Sequence, residues 1–254
     1  MQLEKQLKSG DIHLATFSDE DIAAVTPLIP REERSVPLSS LDELGEDELE
    51  NALAAARQSL RDHGFLVEGE PDKALGELAA ILEFRSDPSL LVIVEHLSRD
   101  EEDHALYLYG VGSVGYLSEV AQEGTHTFTF CSRSSTADKL ADLVYSSSQS
   151  DTSDGPPLEK LNETASPGWG EFERALDAVQ VITRLSSSIR IAPDTFEVNA
   201  LAFAACENGV WGFAGENDEK SSAIYARALS RGSVRAAIGE FLGEDEITAP
   251  SDPE

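Results

Sequence analysis

Five histidines, two cysteines and 48 acidic residues are the side chains in this 254-residue sequence best suited to chemistry. The histidines, His13, His63, His96, His104 and His126, are scattered. None falls in an HExxH helix pair, and the cysteines form no CxxC, so the spacing signals no metal site. His104 and His126 flank stretches that can pair as strands, which makes a shared site conceivable. The expectation is the plainer one, two solvated or turn histidines. No GxSxG nucleophile elbow, GxxxxGK[ST] phosphate loop or GxGxxG fingerprint occurs. Gly110-Val-Gly112-Ser-Val-Gly115 comes nearest a glycine-rich loop, but it lacks the lysine and the following helix and fits a hairpin turn better. The serine runs Ser146–Ser148 and Ser186–Ser188 have no neighbouring base. Among 48 acids carboxylate pairs arise everywhere, so none is informative for acid–base catalysis. No catalytic residue, cofactor or metal ligand is assigned.

The aromatic residues say more. Tyr107, Tyr109 and Tyr116 cluster in one part of the chain, and Phe203, Trp211 and Phe213 in another. In a strand alternate residues face opposite sides, so Tyr107 and Tyr109 share a face while Leu106 and Leu108 occupy the other. Such rings either pack under helices or hold a partner, since exposed Tyr and Trp anchor interfaces at low entropy cost. On the second reading the contact residues are Tyr116, Leu117, Val210, Trp211 and Phe213.

These rings lie in two runs, Ala105–Val144 and Ala200–Leu242, that share an order of features. Each has an apolar strand (Leu106–Tyr109; Leu201–Ala205), a glycine turn and a short aromatic strand (Gly115–Leu117; Val210–Phe213). A third segment (Thr127–Phe130; Ala223–Ala226) and an amphipathic helix (Thr136–Tyr145; Ser233–Leu242) follow. The pattern predicts an internal repeat. Ahead of the first run, Ser18 is the expected N-cap of a short helix to Ile29, with Asp19, Glu20 and Asp21 in its first turn. Ser40-Leu-Asp-Glu43 reads as a capping box for a helix carrying Leu49, Ala52, Leu53, Ala56 and Leu60 and ending at Gly64. Pro71 opens a second helix with Leu75, Leu78, Ala79 and Leu82 on one face. Leu90–Leu97 is an apolar, β-branched run and a central strand. Trp169–Leu185, with Phe172, Leu176, Val179, Ile182 and Thr183, has helical spacing. The fold class expected is therefore α+β, a pseudo-two-fold repeat of antiparallel meanders flanked by helices. Residues 1–145 form the first half, 146–168 a Ser/Asp/Pro-rich linker, 169–243 the second half and 244–254 a disordered acidic tail.

Charge narrows the function classes. With 48 Asp and Glu against 19 Lys and Arg, the formal charge is −29, a field that repels phosphate backbones and anionic lipid. Nucleic-acid and membrane-surface partners are disfavoured. No apolar run approaches the ~18 residues of a membrane span, and the N-terminus lacks a secretory signal, so the expected location is the cytoplasm. Cys131 and Cys206 agree with a reducing compartment and are expected to be two small buried hydrophobes.

Several stretches carry a family resemblance: Ser59-Leu60-Arg61-Asp62-His63-Gly64-Phe65-Leu66 closing a helix, Glu70-Pro71-Asp72 leading to a Leu-rich helix, Arg85-Ser-Asp-Pro88, and then a strand meander. In this order they resemble the EspG family of type VII secretion chaperones, well over Leu41–Val144 and loosely over Phe172–Leu242. The later segments Cys206-Glu-Asn-Gly209 and Gly215-Glu-Asn-Asp218 depart from the Gly/Arg-rich strands of that family. The resemblance implies a pseudo-two-fold α+β fold and a non-enzymatic cytosolic chaperone. Its partner would be a helical secreted pair of PE–PPE type, whose apolar tip it masks. Two other readings stay open: a small hydrolase or ligand-binding enzyme with a cleft between the halves, and a structural or regulatory subunit of a salt-adapted organism. Exposed edge strands would also invite a homodimer.

Overall fold

The structure is a computed structural model, and it describes residues 10–28, 38, 40–42, 44–69, 71–86, 88–98, 104–112, 114–145, 153–161, 164–192, 195–207, 209–218 and 221–244. Among these the protein is α+β, with six α-helices, eleven strands of antiparallel sheet and a two-stranded ribbon. In chain order the elements begin β1 (Ile12–Ser18), α1 (Asp19–Val25), α2 (Glu46–Asp62), β2 (Leu66–Val67), β3 (Lys73–Ala74) and α3 (Gly76–Ser86). Four strands and a helix follow: β4 (Leu90–Ser98), β5 (His104–Val111), β6 (Gly115–Gln122), β7 (Thr125–Ser132) and α4 (Arg133–Val144). After β8 (Leu158–Leu161), β9 (Thr164–Ala165) and α5 (Trp169–Asp177) the same order recurs. It runs β10 (Val181–Ala192), β11 (Thr195–Cys206), β12 (Gly209–Asp218), β13 (Ser221–Leu229) and α6 (Arg231–Phe241).

The chain packs as two compact units, one of Met1–Leu91, Ala105–Ser132 and Ile189–Phe196, the other of Val92–His104, Arg133–Ser188 and Glu197–Glu254. The expected boundaries at 145 and 169 are corrected by this division. Helix α4, expected to close the first half, packs on α6 in the second unit, where Arg231 pairs with Asp142 and Arg235 with Asp138. The expected linker also carries structure: β8 pairs antiparallel with β13, and Leu158 is buried there. Residues 146–152 and 162–163 of that linker and 245–254 of the expected tail lie outside the described residues.

In the first unit the strands run in the order β1-β7-β6-β5. Residues directly across from one another share a face, so the register places Phe17, Tyr109, Leu117, Phe128 and Phe130 on one side. Against them lie Ile22 and Val25 of α1, Leu60 of α2 and Leu78, Ile81 and Leu82 of α3, all buried. Ring contacts of 5.3 Å between Phe17 and Phe65 and 5.5 Å between Phe84 and Phe130 fasten the layer. Helix α1 starts as expected, with a reciprocal Ser18–Asp21 capping box. Helix α2 does not start at Ser40. Its N-cap is Gly45, whose N–H donates to Glu48 at 3.2 Å, because the Ser40 N–H is taken by Asp19 at 2.9 Å. It ends as expected at Gly64, whose φ of 78° suits glycine. Pro71 does not open α3 either. Asp72 accepts from the Gly69 N–H and pairs with Arg61 at 2.7 Å, which turns the acidic-Pro step into the β2–β3 ribbon. Helix α3 begins later, at Gly76, and leaves Leu75 exposed.

In the second unit the order is β10-β11-β12-β13-β8-β9. The expected helix Trp169–Leu185 is two elements: α5 stops at Asp177, and β10 follows. Val181, Thr183, Leu185 and Ser187 are buried at every second position. That period of two outweighs the looser helical spacing, since it buries a complete row against the sheet's neighbours. Within this row Thr183 Oγ1 lies 3.0 Å from Nδ1 of buried His96 on β4.

Candidate functional site

The residues expected to contact a partner fall into two groups. Tyr116 and Leu117 belong to the first unit and Val210, Trp211 and Phe213 to the second. Tyr116, Leu117 and Val210 are 1%, 0% and 1% exposed, so the expectation that they form an open sheet face is corrected: their side chains are covered. Trp211 and Phe213 are half-buried beneath α5, which presents Trp169 and Phe172 at a spacing of three residues. Phe172 is the hub of this cluster, with ring centroids 5.1 Å from Trp169, 5.4 Å from Trp211 and 6.0 Å from Phe213. The plainer reading of these rings, packing under a helix, is what the structure has. Lys160 sits 5.6 Å over the Trp169 ring, and Trp169 donates its indole N–H to Glu173 at 2.9 Å.

Two hollows open beside this cluster, both within the second unit. One, of about 420 Å³, is lined by Arg174, Cys206, Glu207, Val210 and Trp211. The other is a shallow groove of about 500 Å³ lined by Leu158, Leu201, Phe213, Ala214, Tyr225 and Leu229, with Glu159 and Arg227 among them on the Tyr225 face. Register brings its apolar residues together. Ala214 lies opposite Tyr225, and Leu161 opposite Ala223, so Ala214, Tyr225 and Leu161 share one face of adjacent strands. Tyr225 is 40% exposed and Leu161 43%, which leaves large apolar surface beside the groove. The sequence reading selected Phe213 and missed Tyr225 and Leu161, because the strand holding Leu161 was taken as linker.

The first unit holds a different constellation, which the sequence reading dismissed as uninformative. His126 is 0% exposed, so the expectation of a solvated or turn histidine is corrected. It shares its face of β7 with Phe128 and Phe130, and it lies opposite Ala121 while Glu119 lies opposite Phe128. The two side chains are thus diagonal neighbours on one covered face. Glu119 Oε1 is 2.9 Å from His126 Nδ1, and Asp19 Oδ1, from the first residue of α1, is 2.8 Å from Nε2. The Tyr109 hydroxyl donates to Glu119 Oε2 at 2.6 Å, and Arg85 Nε lies 3.4 Å from the same oxygen. Asp19 is fixed by its own N–H donating to the Gly124 carbonyl at 3.0 Å. Burial, reinforced by the Glu119 charge, pushes the Tyr109 hydroxyl well above its ordinary value, so it acts here as a donor. Alternation along Thr125–Ser132 was the signal available in the sequence: His126, Phe128 and Phe130 fall at i, i+2 and i+4.

This cluster is enclosed, and both nitrogens of the ring face carboxylates, so it offers a substrate neither access nor a free group. The side chain of His104 lies outside the described residues. Cys131 and Cys206 are buried and not in a disulfide, in agreement with the expectation. Cys206 donates to the Ala175 carbonyl at 3.2 Å, and burial pushes its thiol up. Among the described residues no group of three or more His, Cys, Asp or Glu is placed to hold a metal ion, and no helix is long and apolar enough to cross a membrane. No protein-family model matches this chain, and no curated protein matches it.

Proposed function

We propose that this protein is a non-enzymatic cytosolic binding protein, a chaperone that masks the apolar tip of a helical secretion substrate in the manner its EspG resemblance implies. The observation that carries the reading is the groove of about 500 Å³ beside Phe213 and Tyr225 in the second unit. Its apolar floor and the adjoining exposed Tyr225 and Leu161 suit the apolar face of a helix laid into a groove, with Tyr225 as the anchoring ring. Contiguous exposed apolar surface is a common mark of such sites. The acidic surface keeps nucleic acid away and favours a client with basic residues around its apolar tip. The buried cluster of the first unit has no part in this role.

The experiment is capture from native cytosol with a photo-crosslinking amino acid at position 214, opposite Tyr225 in the groove, followed by mass spectrometry. A one-to-one adduct with an Ala/Gly-rich helical protein is expected, and adding Tyr225→Asp to the same probe-bearing chain should abolish capture while the circular dichroism spectrum stays unchanged. Equal recovery of the same client by the probe-bearing chain with Tyr225 and by its folded Tyr225→Asp variant would remove the groove from the reading. Failure to recover any client at physiological concentration would remove the chaperone function.

A further inference from the structure

We propose that His126 carries a proton on both ring nitrogens and is the cationic centre of a buried lock that ties the start of α1 to β6 and β7. A neutral imidazole has one N–H and one lone pair, so it can donate to only one acceptor. His126 faces two, with Glu119 Oε1 at 2.9 Å from Nδ1 and Asp19 Oδ1 at 2.8 Å from Nε2. One extra proton must therefore sit along this line. The remaining donors place it on the ring. Glu119 Oε2 accepts from Tyr109 at 2.6 Å and faces Arg85 at 3.4 Å, and Asp19 Oδ2 accepts the Ser40 N–H at 2.9 Å. The oxygen of each carboxylate that does not face the ring is thus met by an independent donor, which stabilises both carboxylates and leaves the proton to the imidazole.

The doubly protonated ring then meets a carboxylate on each side, and Arg85 faces Glu119 as well, with Tyr109 as a neutral donor. Charges this deeply buried persist only when they are paired and hydrogen-bonded. The consequence is positional. Asp19 reaches the ring from the β1–α1 corner and Glu119 from β6, and Arg85 in the last turn of α3 meets Glu119, so the ring on β7 is joined directly to two other segments of the first unit and through Glu119 to a third. If the ring were neutral, one carboxylate would face a lone pair across 2.8 or 2.9 Å, and the contact between α1 and the sheet would weaken.

The test is nitrogen-15 NMR of the full chain at pH 7.5, with the His126 ring assigned through coupling to its own backbone. Both ring nitrogens are expected to carry protons that exchange slowly with water. A wild-type spectrum with one unprotonated ring nitrogen would overturn the proposal. In Asp19→Asn the ring should lose its second proton, and amides of residues 19–25 should exchange at least tenfold faster. Glu119→Gln gives the same readout from the other side if Asp19→Asn does not fold. Retention of both ring protons in a folded variant of either kind would also overturn the proposal, because the second carboxylate would then not be what holds the charge.

Discussion

Phe172→Ala should unfasten the aromatic cluster of the second unit, and its cost can be worked from the geometry. Phe172 is almost fully buried and meets three rings at 5.1 to 6.0 Å. A buried phenylalanine removes roughly 150–250 Å² from water. At about 25 cal/mol/Å² that is roughly 4–6 kcal/mol as an upper bound, and Phe→Ala changes in cores cost about 3–5 kcal/mol. Helix α5 has only nine residues, and its buried side chains are Trp169 and Phe172, so it cannot redistribute the loss along its length. The assay is built into the sequence. Both tryptophans of the chain, Trp169 and Trp211, lie in this cluster, so intrinsic fluorescence reports on it directly. In urea, with a slope of ~1–3 kcal/mol/M, the transition followed by tryptophan emission should fall by more than about 1 M, and the native emission should shift to the red. Phe172→Leu, which keeps most of the volume, should lose much less. A loss below about 1 kcal/mol for Phe172→Ala, or equal losses for the two variants, would refute the view that this ring holds α5 to the sheet.

In the first unit Arg85→Met should cost about 3–5 kcal/mol by far-UV circular dichroism in urea, because it leaves Glu119 under-compensated. Adding Glu119→Leu to that variant should recover part of the loss, and a double variant less stable than the single one would count against a balanced cluster. Asp154 is an acid-range case. The Ser230 N–H and then the Ser233 hydroxyl hold its carboxyl down at about 2, below the ordinary 3.8. The stability it contributes is thus present above about pH 4 and is lost as pH falls toward 2. The gap in urea midpoint between wild type and Asp154→Asn should be constant above pH 4 and shrink below it; a gap independent of pH would contradict this. Both cysteines should resist a thiol reagent in the native protein and react on unfolding, since both side chains are buried. Stoichiometric labelling of the folded chain within minutes would place one of them at the surface.

Local chemistry with one strong solution was legible in the sequence. Ser18 and the acids behind it could only start a helix, and Gly64 could only end one, so both boundaries stand where the residues put them. The β-branched, apolar run at Leu90 and the turn glycines gave the strands for the same reason. The misreadings arose where two local solutions competed and distant residues decided between them. Ser40 has the makings of a cap, but Asp19 claims its N–H from 21 positions away. Residues 181–185 suit a helix or a strand, and only the sheet they join selects the period of two. The ionic cluster was the least legible, because its members come from α1, α3, β5, β6 and β7. No spacing rule connects Asp19 with His126, 107 positions later. The groove was hidden differently: its neighbouring exposed Leu161 sits in a polar stretch whose strand partners, β13 above all, lie outside it in the sequence.

Scarce cations explain much of how such an acidic chain stays folded. With 19 Lys and Arg against 48 acids, most carboxylates have no positive partner, and mutual repulsion works against compaction. The arginines are placed where one charge joins elements far apart in sequence. Arg235 of α6 holds both Asp138 of α4 and Glu244, and these bonds, the one to Glu244 foremost, raise its proton affinity further above an already high value. Arg133 of α4 donates to the Leu242 and Gly243 carbonyls, so the C-terminal end of α6 is capped by a cation. Arg227 reaches Asp154, and Arg61 reaches Asp72 across a turn. Exposed pairs of this kind contribute only about 0–1 kcal/mol each. Their value lies in distribution, since neighbours within one helix would stabilise only that helix. The buried His126 ring extends the same economy: placed between two acids from different segments, and beside Arg85, one side chain meets both carboxylates at once.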